Sequence, residues 1–141
     1  MNLSIADLQK KKNNGAKITM ITAYDSTFTQ IVEAAKIDVI LIGDSLGNVM
    51  QGRQTTLAVT LDDMIYHAQC VSRVSNHAFL VCDLNFGSYQ ASLEDGIRSA
   101  IRIMKEGNVH GVKIEGGQRV VELTRAIVQA GIPVMGHLGL T

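Results

Sequence analysis

The sequence predicts an α/β protein built on a parallel sheet, and three observations carry that expectation. From residue 18 onward, short β-branched apolar runs alternate with segments of helical periodicity. Three of the helical segments open on a Ser or Thr with an Asp three residues later, the spacing of a helix N-terminus. Three of the apolar runs end in an acid, at the end of the strand where open α/β sheets and barrels place their ligands.

Taken in order, Ser4 with Asp7 predicts a first helix over residues 5–13. The run ITMITAY (18–24) predicts the first strand and residues 26–36 a short helix. DVILIGD (38–44) is the second strand, followed by a polar, Gly-containing loop at 45–59, a length more often functional than idle. Thr60 with Asp63 opens a helix to about Val74, with Met64, Ile65, Ala68 and Val71 as its apolar stripe. AFLVCDL (78–84) is the third strand. Ser92 with Asp95 opens the next helix, with Ile97, Ile101 and Met104 as its stripe and Gly107 as its stop. GVKIEG (111–116) is the fourth strand. A helix on Val120, Val121, Thr124, Ile127 and Val128 ends at Gly131, and PVMGHLG (133–139) is the fifth strand. All five runs read as buried parallel strands.

Sequential parallel strands lead to a doubly wound sheet or to a (β/α)8 barrel. No GxGxxG follows the first strand, which removes the usual dinucleotide-binding ground for the former. A complete barrel takes about 250 residues, so 141 residues predict a single-domain partial barrel, truncated before strands six to eight.

Composition narrows the function classes. Hydrophobic residues are 46% and charged residues 18%, with one Pro, as in a compact globular domain. Thirteen basic and thirteen acidic residues balance, with no excess to attract nucleic acid. Cys70 and Cys82 lack metal-ligand spacing and read as reduced thiols. The first fifteen residues have no apolar core of a signal peptide, and no apolar stretch is long enough for a bilayer. A soluble, cytoplasmic protein is expected, with no membrane partner.

The chemistry lies in Asp44 after VILIG, Asp83 after FLVC, and Glu115 after VKI. Alternation along a strand puts Ile40, Ile42 and Asp44 in one direction, Val81 with Asp83, and Lys113 with Glu115. Carboxylates converging at one mouth repel one another unless a cation or proton intervenes. An all-oxygen set suits a hard ion, magnesium above calcium or zinc. Such an ion would be chelated by a 2-oxo acid and would stabilise the enolate formed on proton removal. Lys113 could neutralise the substrate carboxylate or the developing oxyanion, and His137 in GHLGL could donate a hydrogen bond to the same substrate. Each residue also has a bland reading: helix N-cap for the acids, ion pair for Lys113, core histidine for His137, packing or solvent residues for His67, His77 and His110.

The strings ITAYD (21–25), IGDSLG (42–47), VMQG (49–52), TLAVTLDDMIYH (56–67), DLNFGSY (83–89), VKIEGG (112–117) and GHLGLT (136–141) together resemble the ketopantoate hydroxymethyltransferase family, in its order and spacing. The resemblance implies a (β/α)8 TIM barrel of the phosphoenolpyruvate/pyruvate type, of which this chain holds an N-terminal helix and about the first five strands. It implies transfer of a hydroxymethyl group from 5,10-methylenetetrahydrofolate to 3-methyl-2-oxobutanoate, giving 2-dehydropantoate for pantothenate and coenzyme A biosynthesis. It further implies Mg2+ and a homo-oligomer, a decamer. Carried over, Asp44 and Asp83 are similar to direct metal ligands and Glu115 to a third metal-site acid acting through water. Asp44, Ser45, Asp83 and Lys113 correspond to substrate-binding positions, and His137 to an auxiliary beside the oxo acid. The family's general base is a glutamate of the second half-barrel and is absent from this chain. Asn85 and Ala58 stand where the family usually has Pro. The other readings are an inactive or self-associating half-barrel, or a magnesium-dependent oxo-acid lyase or aldolase of the same superfamily.

Overall fold

The computed structural model describes residues 1–140; Thr141, the last residue of the GHLGLT string, lies outside the described residues. The chain runs α1 (Ile5–Asn13), β1 (Met20–Thr22), α2 (Ser26–Ala34), β2 (Val39–Ile42), α3 (Leu46–Val49), α4 (Leu61–Ser72), β3 (Phe79–Asp83), α5 (Leu93–Gly107), β4 (Gly111–Glu115), a 3-10 turn (Gly117–Val120), α6 (Val121–Gln129) and β5 (Val134–His137). The five strands form one sheet in the order β1-β2-β3-β4-β5, each parallel to the next. A doubly wound sheet reverses direction at a switch point. This one never does, so it is the arc of a barrel.

The layers confirm that geometry. Ile40, Ile42, Leu80, Cys82, Val112 and Ile114 form one core with Val32 of α2, Met64, Ile65, Ala68 and Val71 of α4, Ala100 and Ile103 of α5, and Leu123 and Ile127 of α6. The helices after the strands therefore cover one face. On the opposite face Val39, Phe79 and Val81 pack with Leu41, Met135 and, from the N-terminal segment, Leu3 and Leu8. The segment is tied across the strand starts by polar bonds: Leu3 N–H donates to His77 O at 2.7 Å, and Lys11 Nζ meets Asp38 Oδ1 at 2.6 Å.

Local chemistry places the ends as expected. Capping boxes form at Ser4/Asp7 and Thr60/Asp63, and Ser92 Oγ accepts from Asp95 N–H at 3.1 Å. The α4 stripe is buried as read. Two other stripes are corrected. The face α5 buries is Gly96, Ser99, Ala100, Ile103 and Gly107; of the expected stripe Ile97 and Met104 pack half-buried against the core, and Ile101 is exposed. These small residues let α5 approach α4 closely; a Cβ on Gly107 would lie 2.9 Å from Ala68 Cβ. In α6 the buried pair is Leu123 and Ile127, while Val121 and Val128 are exposed.

The expectation that every strand is buried also fails at both edges of the sheet, and in β5 no residue is fully buried. Met20 and Ile21 of β1 are 49% and 47% exposed, and β1, at the edge of the sheet, has a neighbour on one side only among the described residues. The sequence reading missed α3, a single turn inside the long loop. Both cysteines are free, Cys82 buried and Cys70 half-buried. Among the described residues no helix is long and apolar enough to cross a membrane.

Candidate metal and oxo-acid site

Register builds the site. Asp83 sits directly across from Lys113, and Glu115 directly across from His137. Asp83, Glu115 and His137 are the last residues of β3, β4 and β5, so all point from the strand ends on the face opposite the helices. Asp44 arrives differently from the alternation reading. Ile40 and Ile42 lie in the helix-side core, and by parity Asp44 would follow them. But β2 ends at Ile42, and the turn at Gly43 brings Asp44 back to the mouth, where its N–H donates to Asp83 Oδ2 at 3.1 Å.

The charges are tightly coupled. Lys113 Nζ lies 3.0 Å from Asp83 Oδ1 and 3.4 Å from Glu115 Oε1, and His137 Nδ1 lies 2.9 Å from the same Glu115 oxygen. Burial raises the Asp83 carboxyl from 3.8 to about 6, against the pull of Lys113 and with added repulsion from Asp44. Burial, then Glu115, raises Asp44, while the Thr56 hydroxyl from the long loop works the other way. Burial alone would lower Lys113, but Asp83 and Glu115 outweigh it and hold it firmly protonated. Among the described residues Asp83 Oδ1 is buried and receives no well-directed hydrogen bond, and it faces the Lys113 ammonium in an ion pair.

These donors fit a hard cation only in part. The Asp44 backbone N–H binds Asp83 Oδ2, the Asp44 carboxyl is near enough to repel that of Asp83, and Asp83 Oδ1 lacks a hydrogen bond. Yet among the described residues no three His, Cys, Asp or Glu side chains are grouped to hold a metal. Glu115 is turned to Lys113 and His137 instead, so the expected three-acid set is not preassembled. Ser45 lies beside the acids: a Cβ on Gly43 would stand 3.1 Å from Ser45 Oγ and 3.4 Å from Asp83 Oδ2. The sequence reading missed Tyr24, Thr56 and Tyr89. The Tyr89 hydroxyl donates to Glu115 O at 3.2 Å. Only the position of ITAYD and DLNFGSY at strand ends could have signalled the two tyrosines.

Strand-end acids and a lysine on a singly wound parallel sheet define the α/β-barrel class. Solved structures of that class are similar: 2,3-dimethylmalate lyase, described as a member of the PEP mutase/isocitrate lyase superfamily, aligns with TM-score 0.69 at 20% identity over 93% of this chain and 52% of its own. Oxaloacetate acetylhydrolase aligns with TM-score 0.67 at 13% identity, over 94% and 52%. At these identities the likeness is one of fold.

The sequence is more specific. The family model for ketopantoate hydroxymethyltransferase matches residues 2–141, and the chain belongs to that family. The 3-methyl-2-oxobutanoate hydroxymethyltransferase of Christiangramia forsetii is 57% identical over 99% of this chain and 51% of its own length. That of Cytophaga hutchinsonii is 58% identical over 94% and 49%. The chain thus spans about half the length of the curated relatives it matches.

Proposed function

We propose that this chain supplies the metal- and oxo-acid-binding half of an enzyme that transfers a hydroxymethyl group from 5,10-methylenetetrahydrofolate to 3-methyl-2-oxobutanoate, with one water consumed, forming 2-dehydropantoate and releasing tetrahydrofolate. Support comes from the family match and from relatives that bear the name of this activity. The observation that carries the reading is the Asp83–Lys113 pair beside Asp44 at the strand ends.

Asp44 and Asp83 are the residues that would hold magnesium, an ion commonly bound by one or two carboxylates with the remaining positions left to water and substrate. When bound, it supplies Lewis acidity to a chelated 2-oxo acid and so makes the proton on C3 easier to remove. Phosphonopyruvate hydrolase, a protein of similar fold (TM-score 0.56, 12% identity), is described as a complex with oxalate and Mg++. Lys113, protonated and half-buried, offsets the negative charge that grows on the substrate oxygens. Glu115 orients Lys113 and His137 and, as the third acid of the metal site, acts on the ion through water. Ser45 and His137 hold the substrate's orientation through hydrogen bonds.

The proton-abstracting base belongs, in this proposal, to the polypeptide that closes the barrel against β1 and β5. The folate donor, the decameric homo-oligomer and the cytoplasmic location are part of the same proposal. A lyase or aldolase reading would use the same strand-end acids and is supported beyond them by likeness of fold alone.

The test is a transfer assay on the complete enzyme. The product 2-dehydropantoate should form only with 3-methyl-2-oxobutanoate, the folate donor and Mg2+ all present. Turnover of another oxo acid without the folate would overturn the assignment.

A further inference from the structure

We infer that Tyr24 is a positioning residue for the oxo acid: its phenol fixes the Ser45 hydroxyl so that Ser45 donates its proton to an anionic oxygen of the substrate. The inference rests on the function proposed above and assigns a role to a residue outside the acid–lysine set.

Three observations point to it. Tyr24 is 8% exposed although the strand just before it is exposed, so something specific holds it in. Its hydroxyl lies 2.7 Å from Ser45 Oγ. Its carbonyl accepts from His67 Nδ1–H at 2.8 Å, and its ring meets the His67 imidazole edge-on at 6.4 Å and 86°. His67 on α4 thus locks the backbone that aims the phenol.

Ser45, in turn, is free for a ligand. It stands at the N-terminus of α3, yet its side chain makes no capping bond. A serine hydroxyl has one donor and two acceptor positions. A phenol is far more acidic than an alkyl hydroxyl, so Tyr24 is the better donor of the pair. With Tyr24 donating, the Ser45 proton remains available and its direction is restricted. Gly43 makes the approach possible: where its Cβ would stand, Ser45 Oγ, Asp83 Oδ2 and Tyr24 Oη lie at 3.1, 3.4 and 3.7 Å. One small space therefore joins the phenol, the serine and the acid.

The experiment is a double-mutant cycle on the complete enzyme with Tyr24→Phe, Ser45→Ala and the pair, reading KM for 3-methyl-2-oxobutanoate, kcat, Mg2+ affinity and melting temperature. Phenylalanine keeps the ring and the His67 contacts. Tyr24→Phe should raise KM roughly five- to tenfold, the scale of one neutral hydrogen bond, with kcat, Mg2+ affinity and melting temperature close to unsubstituted. The double variant should be no worse than Ser45→Ala alone. A silent Tyr24→Phe, effects that add in full, or a loss confined to melting temperature would overturn the inference while leaving the proposed function standing. An unsubstituted enzyme that does not turn over 3-methyl-2-oxobutanoate would overturn both.

Discussion

At the scale of single residues, Asp83 shows what the site costs the fold. Its carboxyl is raised to about 6 because it is buried, so the folded chain holds that proton more tightly than the unfolded chain does. The stability linked to the proton is complete below about pH 4 and is lost as pH rises through 6. In metal-free protein at pH 7.5, Asp83→Asn should therefore stabilise by about 1–3 kcal/mol, and should flatten the decline between pH 4 and 7; urea titrations across that range measure both. An equal or lower stability at pH 7.5 would mean that Lys113 fully compensates the buried charge. His110 has the opposite sign. Burial lowers its pKa, and its Nδ1 accepts the Leu80 N–H at 2.8 Å, a bond that the imidazolium cannot make. That contribution is present above the ordinary imidazole pKa and is lost as pH falls through the depressed one. His110→Leu should cost about 1–2 kcal/mol at pH 8 by leaving the N–H unpaired, with a penalty that shrinks as pH falls through the depressed imidazole pKa. Asp83, Glu115, Lys113 and His137 were legible at this scale because alternation and strand-end position are local, whereas Asp44 was legible by its strand-end position alone, since the turn at Gly43 overrides its parity. The pairing of Tyr24 with Ser45 was not, since it joins two strand ends through space.

At the scale of elements, caps and strand order were legible and strand length was not. Side-chain pattern continues through ITMITAY, but ladder bonding covers only Met20–Thr22. The stripe of α5 was read too narrowly because only large residues were counted, while close helix contact selects small ones such as Gly96 and Ala100; in α6 the buried stripe is Leu123 and Ile127, shifted off Val121 and Val128. Two elements are held by single points. Gly111 opens β4 where β5 begins, and a Cβ there would lie 2.9 Å from Pro133 O, a backbone atom that cannot yield cheaply. Gly111→Ala should cost about 1–3 kcal/mol and loosen β5, read as faster amide exchange over Val134–His137. Exchange unchanged from the parent would show that the strands adjust. At the other end, Asp38 is buried and joins Lys11 of α1 to the Thr19 N–H and hydroxyl. Asp38→Ala should leave these unpaired and cost about 3–5 kcal/mol at most, with α1 the first segment to lose protection.

At the scale of the whole molecule, the barrel class was legible from sequential strands and strand-end acids, but how far the arc closes was not. The faces that a closed barrel would bury are open: Met20 and Ile21 are exposed on β1, and Leu138 beyond β5 is 81% exposed. An exposed apolar edge recruits another strand. The 141-residue chain by itself should therefore associate in sedimentation, and a polypeptide carrying the remaining half-barrel should convert it to a defined complex. A dispersed monomer with no such partner would contradict that expectation. In the proposed function Asp44 and Asp83 hold the magnesium that presents the oxo acid. The most direct measurement is a calorimetric Mg2+ titration of the complete enzyme with 3-methyl-2-oxobutanoate present, comparing the unsubstituted protein with Asp44→Asn and Asp83→Asn. Each substitution should weaken Mg2+ by more than about a hundredfold, beyond what loss of an outer partner costs, and abolish transfer without lowering the melting temperature. Retention of normal Mg2+ affinity in either variant would place the ion elsewhere.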